Sequence, residues 1–249
     1  MDVALIHPDW PAPRNVFAAS TTRTGGVSIA PFDTLNLGKS SGDDPAAVDE
    51  NRRRVFDTLK LPSQPSWIMQ VHGPRVVRAP FSRAAGEPDP QADASFTTQK
   101  GVVCLVQSAD CLPVLFCDHD GTMVAAAHAG WRGLAAGVLE QTVRALPAPP
   151  RKLMAWMGPA ISARHFEVGP EVRAAFESSS PEALPAFTPG TKPGKWMCDL
   201  YAAARVRLHR AGLEVVHGGD FCTFSDASRF FSFRRDGNCG RMASLIWLG

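Results

Sequence analysis

The sequence predicts an α+β fold, a layered mixed α/β sandwich built as a single domain over residues 1–249. Three observations carry that expectation. Apolar runs of strand length follow one another at Val102 to Val106, Leu112 to Cys117 and Thr122 to Ala127, broken only by short polar turns. Helical patterns flank these runs, and strands that cluster as well as alternate with helices favour a mixed sandwich over a purely parallel sheet. No linker and no internal repeat divides the chain.

Taken in order, Val16 to Thr22 reads as a strand and Thr24-Gly-Gly-Val-Ser28 as the turn after it. Pro45 to Leu61 reads as a helix capped by Asp44, with Val48, Val55 and Leu59 on one face. Within it, Arg52-Arg-Arg54 is expected to be a solvated face. Trp67 to Val71 reads as a short strand ending at His72-Gly-Pro, and Pro80 to Gln91 as a surface loop. After the run to Ala127, which places His128 at a strand end, Leu134 to Leu146 reads as one helix. Leu153 to Met157 is a buried strand and Pro170 to Glu177 a helix; Ser178 to Lys195, with four prolines, is expected to be a mobile loop. Asp199 to Arg210 is a helix closed by Gly212, and Leu213 to Val216, Arg229 to Phe233 and Met242 to Leu248 read as closing strands.

Composition narrows the function classes. Hydrophobic residues make up 45% and charged residues 20%, as in an ordinary globular protein, and a net charge of +2 gives no nucleic-acid or membrane-surface footprint. No apolar stretch approaches the roughly 20 residues that span a bilayer. The N-terminus does not read as a signal peptide, and six cysteines without a C-x-x-C pattern read as reduced thiols, so a cytoplasmic location is expected. Small molecules are the expected partners, and the modest charge and lack of heptads permit a monomer.

The chemistry rests on three residues at strand ends, His72, Cys111 and His128. Two imidazoles and a thiolate suit zinc, and three protein ligands leave a fourth position open for reaction. The wide spacing requires a site assembled by tertiary structure. The same residues leave two other readings open: Cys111 as a nucleophile with a histidine base, or a copper centre. Taken singly, each histidine is more often a satisfied polar residue than a ligand. Asp110 and Gln70, beside Cys111 and His72, could orient ligands or bind substrate, although a turn role also suits Asp110.

Gln70-Val-His-Gly73, Ser108-Ala-Asp-Cys-Leu-Pro113, His128-Ala-Gly-Trp-Arg-Gly133, Gly158-Pro-Ala-Ile161 with Phe166-Glu-Val-Gly169, and the segment from Arg229 to Leu248 occur in this order. Together they resemble the laccase-domain, or polyphenol-oxidase-like, family regarded as purine nucleoside phosphorylases. The resemblance covers nearly the whole chain. It implies zinc on His72, Cys111 and His128, the α/β sandwich shared with toxin deamidases, and phosphorolysis of adenosine, inosine, guanosine and methylthioadenosine with adenosine deamination in the same pocket. The older family name implies copper-dependent phenol oxidation, and a further role attached to the family is peptidoglycan-precursor editing.

Those reactions ask for a proton shuttle, for which Asp110 is the candidate, and for a cation clamp on phosphate. Arg23 beside Gly25-Gly26 is the first choice for the clamp, followed by Asn36 and Arg241. Arg132 is expected to brace the helix start, Trp131 to sit in the core and Asp93 to shape the pocket loop. Asn238-Cys239-Gly-Arg241 departs from the family's frequent Thr before Gly-Arg, which removes a hydroxyl near the site.

Overall fold

A four-stranded and a six-stranded sheet stack on each other in the computed structural model, which describes residues 2–81 and 87–249. The first sheet is antiparallel, in the order β1 (Leu5–Ile6), β2 (Val16–Thr21), β13 (Met242–Leu248), β5 (Val103–Ser108). The second runs β12 (Val215–Gly218), β8 (Leu153–Met157), β6 (Leu112–Asp118), β7 (Val124–Ala129), β4 (Ala94–Thr97), β3 (Val76–Arg78). Its outer pairs β12–β8 and β3–β4 are parallel and its inner pairs antiparallel, which makes the sheet mixed as the sequence predicts. A small third sheet joins β10 (Phe187–Pro189), β11 (Trp196–Cys198) and β9 (Glu167–Val168).

Period-two alternation sorts the side chains into layers. On β5, Cys104 and Val106 face the second sheet while Val103 and Leu105 face the layer that carries α1 (Pro45–Leu59). On β6, Leu115 and Cys117 face the first sheet, whereas Leu112, Val114 and Phe116 face a helical layer. That layer holds α2 (Trp131–Ala135), α3 (Val138–Ala145), α4 (Pro170–Ser179) and α5 (Leu200–Arg210). Both faces of the central strands are therefore covered, which is why they read as unbroken apolar runs.

α1 starts where the sequence places it: the Asp44 carboxylate accepts from Ala46 N at 3.0 Å, and Pro45 occupies the first turn. Val48, Asn51 and Val55 are buried on its inner face. The helix expected from Leu134 to Leu146 is instead two pieces, because Gly137 adopts φ 92° between α2 and α3 and breaks the hydrogen-bond ladder.

Four further expectations are corrected. Trp67 to Val71 forms no strand, only the isolated bridges Ser66↔Cys104 and Met69↔Gln91, because the Asp93 carboxylate takes the N–H groups of Val71, His72 and Gly73. Ser178 to Lys195 is not one loop: Pro181–Ala186 form a 3₁₀ turn whose Ala183 and Ala186 bury against the helical core, and β10 follows. Arg229 to Phe233 is not a strand, since the Arg235 guanidinium takes the carbonyls of Thr223, Phe224 and Phe230, and Phe233 opens the short helix α6 (Phe233–Asp236). β7 runs two residues beyond Ala127, so His128 stands within the strand, opposite Pro113. Of the loop expected over Pro80 to Gln91, residues 82–86 lie outside the described residues. Among the described residues no helix is long and apolar enough to cross a membrane.

Candidate metal centre

β7 presents His128 on the face shared by Val124 and Ala126, toward the first sheet, at the open end of the sandwich. The Ser108-to-Leu112 link between β5 and β6 brings Cys111 to the same end. His72 arrives from the irregular segment between α1 and β3, in a left-handed conformation with φ 60°. The ligand atoms of His72, Cys111 and His128 all lie within 4.8 Å of one another, and Cys111 Sγ is 3.9 Å from His72 Nε2. Tetrahedral bonds of about 2.0–2.3 Å would place such atoms about 3.4–3.6 Å apart, so a small contraction suffices to hold a metal ion. His128 is buried, Cys111 half-buried and His72 exposed, which leaves one side of the cluster open to the cleft.

Asp93, fully buried, organises the cluster. Its carboxylate accepts the backbone N–H groups of Val71 (3.1 Å), His72 (2.9 Å) and Gly73 (2.7 Å), which fixes the strained His72 turn. It also accepts from His128 Nδ1 at 2.9 Å. With Nδ1 carrying the hydrogen, His128 turns its Nε2 lone pair to the cluster, the carboxylate–histidine arrangement common around metal ligands. The expectation that Asp93 shapes the pocket is met in a stronger form.

The turn glycines have a steric reason. A Cβ on Gly130 would stand 2.7 Å from Cys111 Sγ and 3.1 Å from His72 Cδ2, and one on Gly133 would stand 3.2 Å from the Gly73 carbonyl oxygen. The Gly-Trp-Arg-Gly segment closes on the ligands as tightly as it does because both positions lack side chains.

Charge within the cluster is coupled. Burial raises the Cys111 thiol, but the neighbouring charge of His128 and hydrogen bonds from both histidines outweigh it and bring the thiol down to about 6. Burial opposes the charged form of His128, yet the Cys111 thiolate and Asp93 raise it to about 9. Without metal the pair favours thiolate and imidazolium at neutral pH.

The cluster lies in a cleft of about 680 Å³ whose walls also hold Asp110, Gln70 and Arg241 from the predicted set. Asp110, at φ 90°, has both carboxylate oxygens engaged, one by Thr223 Oγ1 (2.6 Å) and one by Arg234 N (2.7 Å). It therefore ties the Cys111 turn to α6, with each oxygen accepting one hydrogen bond. Gln70 braces β5: its side-chain amide donates to Gln107 O (2.8 Å) and accepts from Gln107 N (2.7 Å).

Two phosphate-clamp candidates, Arg23 and Asn36, stand outside the lining of this cleft. Arg23 is bound to Asp33 through both its carbonyl and its carboxylate (2.9 and 3.2 Å) and lies over the Phe231 ring, outside the cleft lining. Asn36 is fully buried and spends its amide on Ser41, Asp43, Gly38 N and Arg241 N. Conversely, Arg132 lines the cleft rather than bracing the helix start, and Arg234 lines it too. Arg52, read as part of a solvated face, lies flat on Trp67 with Cζ 3.4 Å from the ring centroid and also reaches the cleft. Trp131 packs on the helical core as expected and also lines the cleft. Arg234 carried no sequence signal, because its place depends on a contact with Asp110 more than a hundred residues away.

The other cysteines are free thiols. Burial pushes Cys104, Cys117 and Cys198 up to about 12. Cys239 is buried and also raised, which suits an inert role.

Comparison with known proteins places this geometry. The family model described as multi-copper polyphenol oxidoreductase laccase matches residues 17–249. The protein named purine nucleoside phosphorylase PA4543 of Pseudomonas aeruginosa is 57% identical over 245 residues, covering 98% of each chain. The protein named purine nucleoside phosphorylase YfiH of Escherichia coli is 52% identical over 246 residues, again covering 98% of each. Among solved structures, NMB0706 of Neisseria meningitidis superposes with a TM-score of 0.92 at 52% identity over 98% of both chains. YlmD of Geobacillus stearothermophilus superposes with a TM-score of 0.87 at 30% identity, covering 98% of this chain and 96% of its own. The chain thus belongs to the multi-copper polyphenol oxidoreductase laccase family, several of whose members carry the name purine nucleoside phosphorylase.

Proposed function

We propose that this protein is a zinc-dependent purine nucleoside phosphorylase that also deaminates adenosine, acting as a cytoplasmic monomer on small molecules. The observation that carries the reading is the open His72–Cys111–His128 cluster, backed by Asp93, in a cleft rich in guanidinium groups. The 57% and 52% identities to proteins named purine nucleoside phosphorylase support the transferase half of it. Two nitrogens and a thiolate fit zinc by donor type, and the one three-ligand cluster among the described residues is a poor fit to multi-copper oxidation.

Bound at this cluster, zinc supplies Lewis acidity and lowers the pKa of water toward neutrality. The chain's residues do the remainder. Asp93 holds His128 in the Nδ1–H tautomer and keeps the His72 turn in place, Asp110 fixes the Cys111 turn, and Gln70 holds the cleft wall against β5. In phosphorolysis a phosphate oxygen bonds to ribose C1′ as the C1′–N9 bond breaks. The purine leaves with the bonding electron pair and takes up a proton, giving ribose 1-phosphate. Guanidinium groups in the cleft stabilise the anionic nucleophile beside the developing oxocarbenium centre.

The test is adenosine turnover by metal-analysed protein. Adenine should form only with phosphate present, and inosine without it, and His72→Ala should lose zinc and both products together. Zinc loss with both activities intact would remove the assignment.

A second reading draws on the Cys111–His128 thiolate–imidazolium pair, which also suits a cysteine hydrolase of amide bonds, peptidoglycan precursors included. A trapped acyl-enzyme on Cys111 would favour it. Copper content with phenol oxidation would favour the oxidase that the family name describes.

A further inference from the structure

We propose that Arg132 and Arg234 form the phosphate-binding fork of this cleft, an inference that rests on the phosphorylase reading above. Among the described residues, five cationic side chains line the cleft, Lys39, Arg52, Arg132, Arg234 and Arg241, against two carboxylates, Asp89 and Asp110. The excess of positive charge calls for an anionic ligand. A purine nucleoside is neutral and cannot answer it; phosphate can.

Hydrogen bonding and exposure of each cation together select the pair. Lys39 is neutralised by Asp49 at 2.7 Å. Arg52 donates through Nε and Nη2 to Leu37 O at 3.0 and 2.8 Å and lies against Trp67. Arg241 is half-buried and curls back on its own chain, with Nη1 on the carbonyls of Cys239 and Gly240 at 2.6 and 3.0 Å. The Arg132 guanidinium, by contrast, makes no hydrogen bond to any described residue and is held only by the Trp131 ring, 4.3 Å from the centroid. Its five N–H donors are all available. Arg234 commits Nη1 to Glu167 O at 2.7 Å and stands 5.1 Å from the Phe166 ring centroid. Neither is ion-paired with a carboxylate of the described residues, and both are exposed. Stacking on an aromatic face fixes the plane of a guanidinium without spending its donors, which is how an arginine is preset for bidentate contact with phosphate.

The backbone of both residues is tied to the candidate ligand cluster. Arg132 lies on the turn that follows His128, past Gly130, whose missing side chain lets that turn close on Cys111. The backbone N–H of Arg234 donates to Asp110, the neighbour of Cys111. Both guanidiniums line the same cleft as the candidate ligands, so phosphate held by them shares that cleft with the nucleoside it is to attack. Arg241 adds positive potential nearby with most of one nitrogen's capacity already spent.

Two measurements on zinc-loaded protein test this. The first titrates inorganic phosphate alone into wild type, Arg132→Ala, Arg234→Ala and Arg132→Lys by calorimetry. Wild type should bind saturably, each alanine variant at least tenfold more weakly, and the lysine variant in between, with zinc content unchanged. The second varies phosphate and nucleoside separately in steady-state assays: KM for phosphate should rise tenfold or more in the alanine variants, with KM for nucleoside within about twofold of wild type. Absence of saturable phosphate binding to wild type, unchanged phosphate affinity in both alanine variants, or a shift confined to nucleoside KM would each overturn the assignment. Phosphate binding that depends on Arg132 and Arg234 without any phosphorolysis would sustain the fork and refute the phosphorylase reading.

Discussion

His128 donates its Nδ1 hydrogen to Asp93 across 2.9 Å, and the same carboxylate holds the backbone of His72 through its N–H at 2.9 Å. One buried side chain therefore positions two of the three candidate ligands, one through its ring and one through its main chain. Asp93→Asn keeps the shape but removes the charge that stabilises this arrangement. Metal affinity should fall about 10–100-fold, read by competition with a chelator, as for other partners of metal-bound histidine. Unchanged affinity would mean that the ligands orient themselves.

Gly130→Ala inserts a methyl group 2.7 Å from Cys111 Sγ. That is closer than carbon and sulfur tolerate, so the turn or the thiol must move. Expected results are a near-native circular dichroism spectrum, loss of stoichiometric metal and at least a hundredfold loss of turnover. Retention of metal would show that the turn yields freely.

Thiol chemistry should separate the cysteines. In metal-free protein Cys111, lowered to about 6, should be alkylated with a rate that climbs through pH 6 and levels above it, because only the thiolate reacts and its population falls below that pH. An ordinary thiol would climb near pH 8.5. Cys222 is half-buried; burial raises its thiol, but hydrogen bonds from Ser162 and Ser225 bring it below the ordinary value, so it should react with or without metal. Cys104, Cys117 and Cys198, pushed up to about 12, should stay unmodified until the protein unfolds. Metal should protect Cys111 alone, and peptide mass spectrometry reads each site.

Away from the cleft, Arg207 Nε and Glu140 Oε1 form a buried ion pair at 2.6 Å that joins α5 to α3. Glu140→Ala leaves a buried guanidinium without its partner and should cost about 3–5 kcal/mol of unfolding free energy by denaturant titration. Metal content should not change. A loss of metal with little loss of stability would tie this pair to the cleft, contrary to its place in the fold.

Much of the fold was legible in the sequence because the central strands are covered on both faces. Val103 to Ser108, Leu112 to Asp118 and Leu153 to Met157 fall where apolar runs predict them, and Asp44-Pro45 starts α1 as capping chemistry requires. Readings failed where backbone hydrogen bonds go to side chains instead of ladders. Asp93 takes the N–H groups of residues 71–73, and Arg235 takes the carbonyls of Thr223, Phe224 and Phe230, so neither segment forms its expected strand. Such captures depend on residues distant in sequence and leave no periodic trace.

The sequence by itself determined the layered α+β class and the three residue types able to bind a metal, since strand patterning and ligand chemistry are properties of residues and their order. It could not decide which cations stand at the cleft. Arg23 and Asn36 had suitable chemistry and neighbours, yet Asp33 holds the first and a buried amide network the second. Arg132 and Arg234 gained their places through Trp131 stacking and a bond to Asp110. The charge of a guanidinium is fixed by its chemistry, but its free donors are what remains after the fold has claimed the others, and only the tertiary structure makes that claim.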